Sequence, residues 1–256
     1  MVPKCLTIAG SDSGGAAGIQ ADLKAFAAAG CFGSSAIVAL TAQNTTGVTA
    51  VHEVPPAFVR SQLEAVLGDI GADAAKTGML FSRPVIETVA DVLGERRLPL
   101  VVDPVMVASS GARLLEDDAV ETLVARVFPL ATVVTPNLAE AEALAGEGSK
   151  RELAERLVAL GAPAALVTGG HGEPVDHLFD GERHVEIPVE RVESGATHGA
   201  GCTHSATLAA LLARGLPLEE AARGAAVAAS RAVAQGLAEI GAGDGPVDVL
   251  GLRGAA

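Results

Sequence analysis

Aromatic residues are nearly missing: the chain has six Phe, no Trp and no Tyr among 256 residues. That excludes the base-stacking platforms of many single-strand binders. Positive charge is scarce too, with 18 Lys and Arg against 31 Asp and Glu and a formal net charge of −13. Such a chain repels nucleic acid and anionic membrane, although a local nest of amides still holds a small anion in a negative field. The three cysteines, Cys5, Cys31 and Cys202, have neither the look of a disulfide framework nor metal-ligand spacing. Long apolar runs are absent near the start. The run after Lys4 soon meets Ser11 and Asp12, too short for a signal core or a membrane span. The expectation is a cytoplasmic protein with no nucleic-acid and no membrane partner.

What is present is aliphatic. Hydrophobic residues make up 49% and charged residues 19%, enough for a sizeable alanine-rich core. Apolar stretches at residues 6–9, 34–40, 48–51, 74–78, 100–102, 132–135 and 164–168 read as strands. Helical stretches fall at 16–29, 55–67, 82–93, 117–127, 138–144, 149–160 and 218–235, with an apolar run at 206–213. Residues 41–47 read as a polar loop. Residues 175–179 and 182–189 read as a hairpin on Asp180-Gly181, a candidate lid. The rhythm predicts one α/β domain over 1–256: three layers, α/β/α, around a mostly parallel sheet. Ligands of such sheets sit beyond the carboxyl ends of the strands. The polar tips near Gly10, Gln43, Gly78, Asp103, Asn137, Gly169 and Gly199 are therefore expected to face one crevice.

The stretch Thr197-His198-Gly199-Ala200-Gly201-Cys202-Thr203 carries the chemistry. Small residues before an apolar helix leave backbone amides uncovered, which makes an anion site. Cys202 would lie on the first turn, where the helix field favours a thiolate, unless it is a buried structural cysteine. An anion cradle beside a base points to transfer of a phosphoryl group. The loop Gly10-Ser11-Asp12-Ser13-Gly14-Gly15 lacks the spacing of a dinucleotide fingerprint. Asp22 reads as a solvated helix face. Asp103, ending an apolar strand, is a turn former or a metal- or phosphate-site carboxylate. Asn137 and Glu140 fit the Ncap and N3 positions of a capped helix, which by itself explains the pair.

Several segments in order along nearly the whole chain resemble the hydroxymethylpyrimidine/phosphomethylpyrimidine kinases. They are the segment from Ala9 to Lys24, Thr41-Ala42-Gln43-Asn44-Thr45, Lys76-Thr77-Gly78-Met79, Val102-Asp103-Pro104-Val105-Met106, Thr135-Pro136-Asn137 with Glu140, and Thr197 to Thr203. The resemblance implies a ribokinase-like fold and a homodimer. It also implies ATP- and Mg2+-dependent phosphorylation of 4-amino-5-hydroxymethyl-2-methylpyrimidine and of its monophosphate, in thiamine diphosphate synthesis. By position, Gly199, Ala200, Gly201 and Cys202 form the anion hole, with Cys202 as general base. Gln43, Asp22, Gly10 and Met79 belong to the substrate pocket, although Met79 also reads as core. Thr168 and Asp103 lie along the nucleotide phosphates, and Asn137 and Glu140 support magnesium. Many relatives carry Lys where this chain has Thr168 and Ser109, so two positive charges are missing. The alternatives are a pyridoxal or pyridoxine kinase and a non-catalytic binding module.

Overall fold

The computed structural model describes residues 1–106, 115, 117–169, 174–190 and 192–254. Ser109 lies outside the described residues. Among the described residues nine strands form one sheet: β1 (Lys4–Asp12), β2 (Phe32–Asn44), β3 (Gly47–Glu53), β4 (Ala74–Thr77), β5 (Leu100–Val102), β6 (Val133–Val134), β7 (Ala165–Val167), β8 (Val175–Phe179) and β9 (His184–Pro188). Their order is β3-β2-β1-β4-β5-β6-β7-β8-β9. The six strands from β2 to β7 in that row are parallel, while β3 at one edge and β8 and β9 at the other run antiparallel to their neighbours.

Among the described residues eight α-helices flank the sheet: α1 (Gly18–Ala28), α2 (Pro56–Ala65), α3 (Arg83–Gly94), α4 (Asp117–Arg126), α5 (Leu138–Ala145), α6 (Lys150–Ala159), α7 (Ala200–Ala213) and α8 (Leu218–Ala234). Successive strand side chains point to opposite faces. On β5, Leu100 and Val102 therefore join the cluster under α2–α6, while Val101 joins the cluster under α1, α7 and α8. Both faces are covered, as a parallel sheet requires. Helix α7 runs through the second cluster with Thr203 to Ala210 buried without a break. A helix apolar nearly all round belongs inside, and this burial fixes where its N-terminus points.

Local chemistry sets several boundaries. Asn137 and Glu140 form a complete capping box on α5, and Ser149 and Glu152 form one on α6. Ser82 occupies the Ncap of α3 without capping it, because its hydroxyl donates to Glu53 instead. Residues 41–47 are not the expected loop. Thr41 to Asn44 extend β2 and pair with β3, and the tight turn is closed by Asn44 Oδ1 accepting from the Thr46 amide at 2.9 Å. Period-two alternation in so polar a segment is invisible without its partner strand. The Asp180-Gly181 hairpin is also corrected as a lid. Phe179 pairs with Ala165 at the start of β7, which puts the turn at the end of the sheet away from the strand carboxyl ends.

Candidate active site

Beyond the carboxyl ends of β1, β4, β5 and β6 lies a cavity of about 180 Å3. Its walls include Gly10, Gln43, Gly78, Met79, Asp103, Asn137, Glu140, Thr168 and the turn from Thr197 to Cys202. A second cavity of about 550 Å3 adjoins it and includes Gly169, Lys150 and Asp176. Asn137, Thr168, Thr197, Ala200, Gly201 and His204 line both. The polar tips expected to converge thus do so, with Gly169 on the adjoining cavity.

The turn before α7 needs glycine. Gly199 is the Ncap with φ +88°, and a Cβ there would stand 1.8 Å from the Ala16 carbonyl oxygen. Gly18, at φ +58°, would put its Cβ 2.3 Å from the Gly10 oxygen. These contacts lock the loop after β1 against the α7 N-terminus. Asp12, 3% exposed, holds that loop. Its Oδ1 accepts from the Gly14 amide at 2.7 Å, and Oδ2 accepts from the Ala16 and Ala17 amides at 3.0 and 2.8 Å. His198 Nε2 lies 3.3 Å from Asp12 Oδ2. Burial raises the Asp12 pKa, but His198 and the amides outweigh it and the carboxyl stays below its ordinary value.

The cradle is narrower than expected. The Ala200 amide donates to the Thr197 carbonyl at 3.0 Å. Among the described residues the Gly201 and Cys202 amides have no acceptor, as first-turn amides usually do not. Against the expected thiolate, the ligand-free surroundings favour the thiol. Burial pushes Cys202 up to about 12; Lys76 opposes this, but Asp22 and Asp103 add to it. The helix-end field is too weak to offset removal from water beside two acids.

Asp22 is corrected as well. It is fully buried and faces Lys76, whose Nζ donates to its two oxygens at 2.9 and 3.0 Å. Thr7 Oγ1 donates to Asp22 at 2.5 Å. Lys76 lines the smaller cavity and Asp22 stands behind it, outside the wall. Asp103 Oδ2 lies 3.8 Å from the Lys76 Nζ and accepts from Ser205 Oγ at 2.8 Å. Burial alone would lower the Lys76 pKa, but these carboxylates outweigh it and the ammonium is held charged. One buried cation thus faces two buried acids, and burial leaves both with raised pKa values.

Glu140 adds a third acid. Burial, then Asp103, raises it to about 8, against hydrogen bonds from the Asn137 and Met106 amides. The Asn137 side-chain oxygen accepts from the Glu140 amide at 3.0 Å, which completes the helix cap. Among the described residues no group of three or more His, Cys, Asp or Glu forms a ready metal centre. The pair Asp103 and Glu140 is nevertheless a hard-oxygen donor set with surplus negative charge, which suits a hydrated divalent ion.

Met79 is 8% exposed, and its Cε sits where a Gly10 Cβ would be, so it serves as core and as cavity wall. Gln43 reaches in from the β2–β3 hairpin, its Nε2 3.3 Å from His198 Nε2. Thr168 is fixed by its backbone: its amide donates to the Pro136 carbonyl at 3.0 Å, and its carbonyl accepts from Leu138 at 2.9 Å. Sequence reasoning missed Asp12, His198, His204 and Asp176, and read Lys76 as a basic strand tip or the partner of a nearby acid, which here is Asp22. Asp12 lay inside a quoted motif. His198 lay in the Thr197 to Thr203 stretch, but neither it nor the others give a local signal of their partners, which are 28 to 186 residues away.

A twisted, mostly parallel α/β sheet with an amide cradle between two cavities at its carboxyl edge defines a small-molecule phosphotransferase. Residues 12–248 match the family described as phosphomethylpyrimidine kinase. A hydroxymethylpyrimidine/phosphomethylpyrimidine kinase of Rhizobium meliloti is 49% identical over 257 residues, covering 96% of this chain and 97% of that protein. A thiamine biosynthesis bifunctional protein of Geobacter sulfurreducens is 52% identical over 254 residues, 95% of this chain; the chain spans 51% of that longer protein. Among solved structures, an ADP complex of Bacillus subtilis pyridoxal kinase superposes with a TM-score of 0.89 at 37% identity, covering 99% of each chain. Phosphomethylpyrimidine kinase from Clostridium difficile gives 0.78 at 39% identity, covering 88% of this chain and 96% of that one. The chain belongs to the phosphomethylpyrimidine kinase family, and its fold is the ribokinase-like fold expected.

Proposed function

We propose that the protein transfers phosphate from ATP to 4-amino-5-hydroxymethyl-2-methylpyrimidine and then to its monophosphate, in thiamine diphosphate biosynthesis. The observation that carries this reading is the pair of unpartnered amides of Gly201, which lines both cavities, and Cys202, which lines the smaller one. The smaller cavity suits a single substituted ring and the larger a nucleotide, so the cradle lies where a phosphoryl group passes between them. Family membership favours turnover over a binding-only module. No helix among the described residues is long and apolar enough to cross a membrane. Residues 1–256 are read as one kinase domain, on the support of the single sheet, acting as a homodimer without nucleic-acid partners.

Gln43 offers both a donor and an acceptor to the aminopyrimidine edge, and Met79 over Gly10 packs its ring. The Gly201 and Cys202 amides meet oxygens of the transferring group, where charge is spread in a loose transition state. Lys76 supplies a fixed positive charge beside it, held by Asp22. Asp103 and Glu140, with Asn137 behind them as the cap that orients Glu140, would hold magnesium, which when bound neutralises phosphate charge. Thr168 donates a hydrogen bond where many relatives have Lys. Cys202 is the base that takes the alcohol proton. In the ligand-free balance it is a thiol, and Lys76 is the neighbour that favours its ionisation.

The test is phosphate transfer from ATP with hydroxymethylpyrimidine, its monophosphate and pyridoxal offered separately to wild type and Cys202→Ala. Magnesium-dependent turnover of both pyrimidines supports the reading. Turnover of pyridoxal alone moves the assignment to a vitamin B6 kinase, and full activity in the variant removes Cys202 from the mechanism.

A further inference from the structure

His204 stands on α7 just beyond the cradle and is 7% exposed. It lines both cavities. Neither ring nitrogen makes a hydrogen bond among the described residues, and Nε2 is fully enclosed. A buried polar side chain without a partner forfeits its hydration and gains nothing from the fold, which is uncommon outside sites that await a ligand. Asp176 on β8 is its charged neighbour, with Oδ2 4.0 Å from Nε2, beyond hydrogen-bond reach. Asp176 Oδ1 accepts from the Gly169 amide at 3.2 Å. Lys150, at the start of α6, donates to the Val175 carbonyl at 2.6 Å. With Glu190, these are the charged groups on the larger cavity among the described residues. The idle imidazole therefore belongs to the side on which the nucleotide lies, and the inference rests on the function proposed above.

We infer that His204 is a nucleotide-binding residue whose imidazole donates to a phosphate oxygen of the nucleotide, with Asp176 as the positioning carboxylate for the other ring nitrogen. Both nitrogens donate in that arrangement, so the ring is an imidazolium when the nucleotide is bound. In the free protein, burial holds the His204 pKa down at about 4, and the ring is neutral. Nucleotide binding then takes up a proton, because the phosphate adds its negative charge to that of Asp176 beside the ring. A neutral ring in the empty site avoids a buried unpaired charge, and a charged ring appears only when its counter-ion arrives.

Calorimetric titration of ADP at pH 7, in two buffers of different ionisation enthalpy, tests this on wild type, His204→Leu and His204→Asn. His204→Leu is expected to weaken ADP by about tenfold and to lose the proton uptake. His204→Asn keeps a donor and should recover part of the affinity without the proton. The KM for the pyrimidine monophosphate should stay unchanged. Equal ADP affinity and proton count in wild type and His204→Leu would overturn the inference. So would a loss confined to the pyrimidine monophosphate, which would assign the ring to the acceptor. If His204→Leu does not fold, His204→Asn decides by its proton count. Wild-type turnover of hydroxymethylpyrimidine, measured on the same preparation, separates failure of this inference from failure of the functional reading.

Discussion

Replacing Lys76 by Met removes the only cation that faces Asp22 and Asp103 among the described residues, while nearly keeping its length. Lys76 and Asp22 are both completely buried and lie 2.9 Å apart. Deleting one partner of such a pair leaves a buried carboxylate uncompensated, at a cost of about 3–5 kcal/mol. For a chain of this size, about 2–4 °C of Tm per kcal/mol gives a fall of roughly 6–20 °C. The sign with pH is fixed. In the variant the carboxylates escape the penalty by protonating, so the deficit should shrink as pH falls from 7 towards 5. In wild type the folded-state pKa of Lys76 is raised, so its contribution is present below the unfolded value and is lost only as pH rises through the folded one. Asp22→Asn, which can still accept from Thr7, should also destabilise. The double variant should lose less than the sum of the two, by a coupling of about 1–3 kcal/mol. Denaturant unfolding of the four proteins at pH 5 and pH 7 measures this. Additive losses, or a deficit that does not change with pH, would refute the account of Lys76 and Asp22 as one buried unit. If Asp22→Asn lowers kcat more than it changes KM for the pyrimidine, the pair also positions charge for the transfer.

Gly199→Ala should cripple phosphate transfer, since a Cβ would meet the Ala16 carbonyl at 1.8 Å in a backbone conformation that already costs about 1–2 kcal/mol for alanine; Gly201→Ala, where a Cβ meets open space, should be far milder, and comparing their kcat values checks it. Because its surroundings hold the Cys202 pKa at about 12, native protein without ligands should be alkylated at this partly exposed thiol far more slowly than a free cysteine at pH 8, as peptide mass spectrometry would reveal; rapid labelling would contradict the raised pKa. Glu140, with its folded-state pKa raised to about 8, should make the ligand-free protein lose stability as pH rises from about 4.5 to 8. Glu140→Gln should flatten that slope and reduce any magnesium-induced rise in Tm, both read by a thermal scan across pH. Thr168→Lys should lower the KM for ATP; an unchanged KM and turnover would mean that the missing charge does not limit nucleotide binding or transfer.

The resemblance carried by short segments reached the fold class and the family, and periodicity placed most strands and helices. The capping boxes of α5 and α6 were legible because such motifs act over three residues. The hairpin arm of Thr41 to Asn44 was not, since polar strand residues become a strand only when β3 supplies a ladder. Asp22 was misplaced for a related reason. Its neighbours on α1 read as an ordinary helix face, and only the docking of α1 against β1 and α7 buries that face and brings Asp22 to Lys76 behind the cavity wall. The role of Asn137 was ambiguous in the sequence, and the geometry shows the cap.

By itself the sequence determined what is local or periodic: an aliphatic α/β rhythm, the glycines where the chain must turn sharply, the helix caps and the position of Cys202 at a helix start. Tertiary structure alone decided the electrostatics. Whether a thiol ionises, whether an aspartate meets water or Lys76, and whether His204 has a partner all depend on burial and on charges brought together from distant segments. These are desolvation and Coulomb effects that act over a few ångströms in space and leave no trace in spacing along the chain.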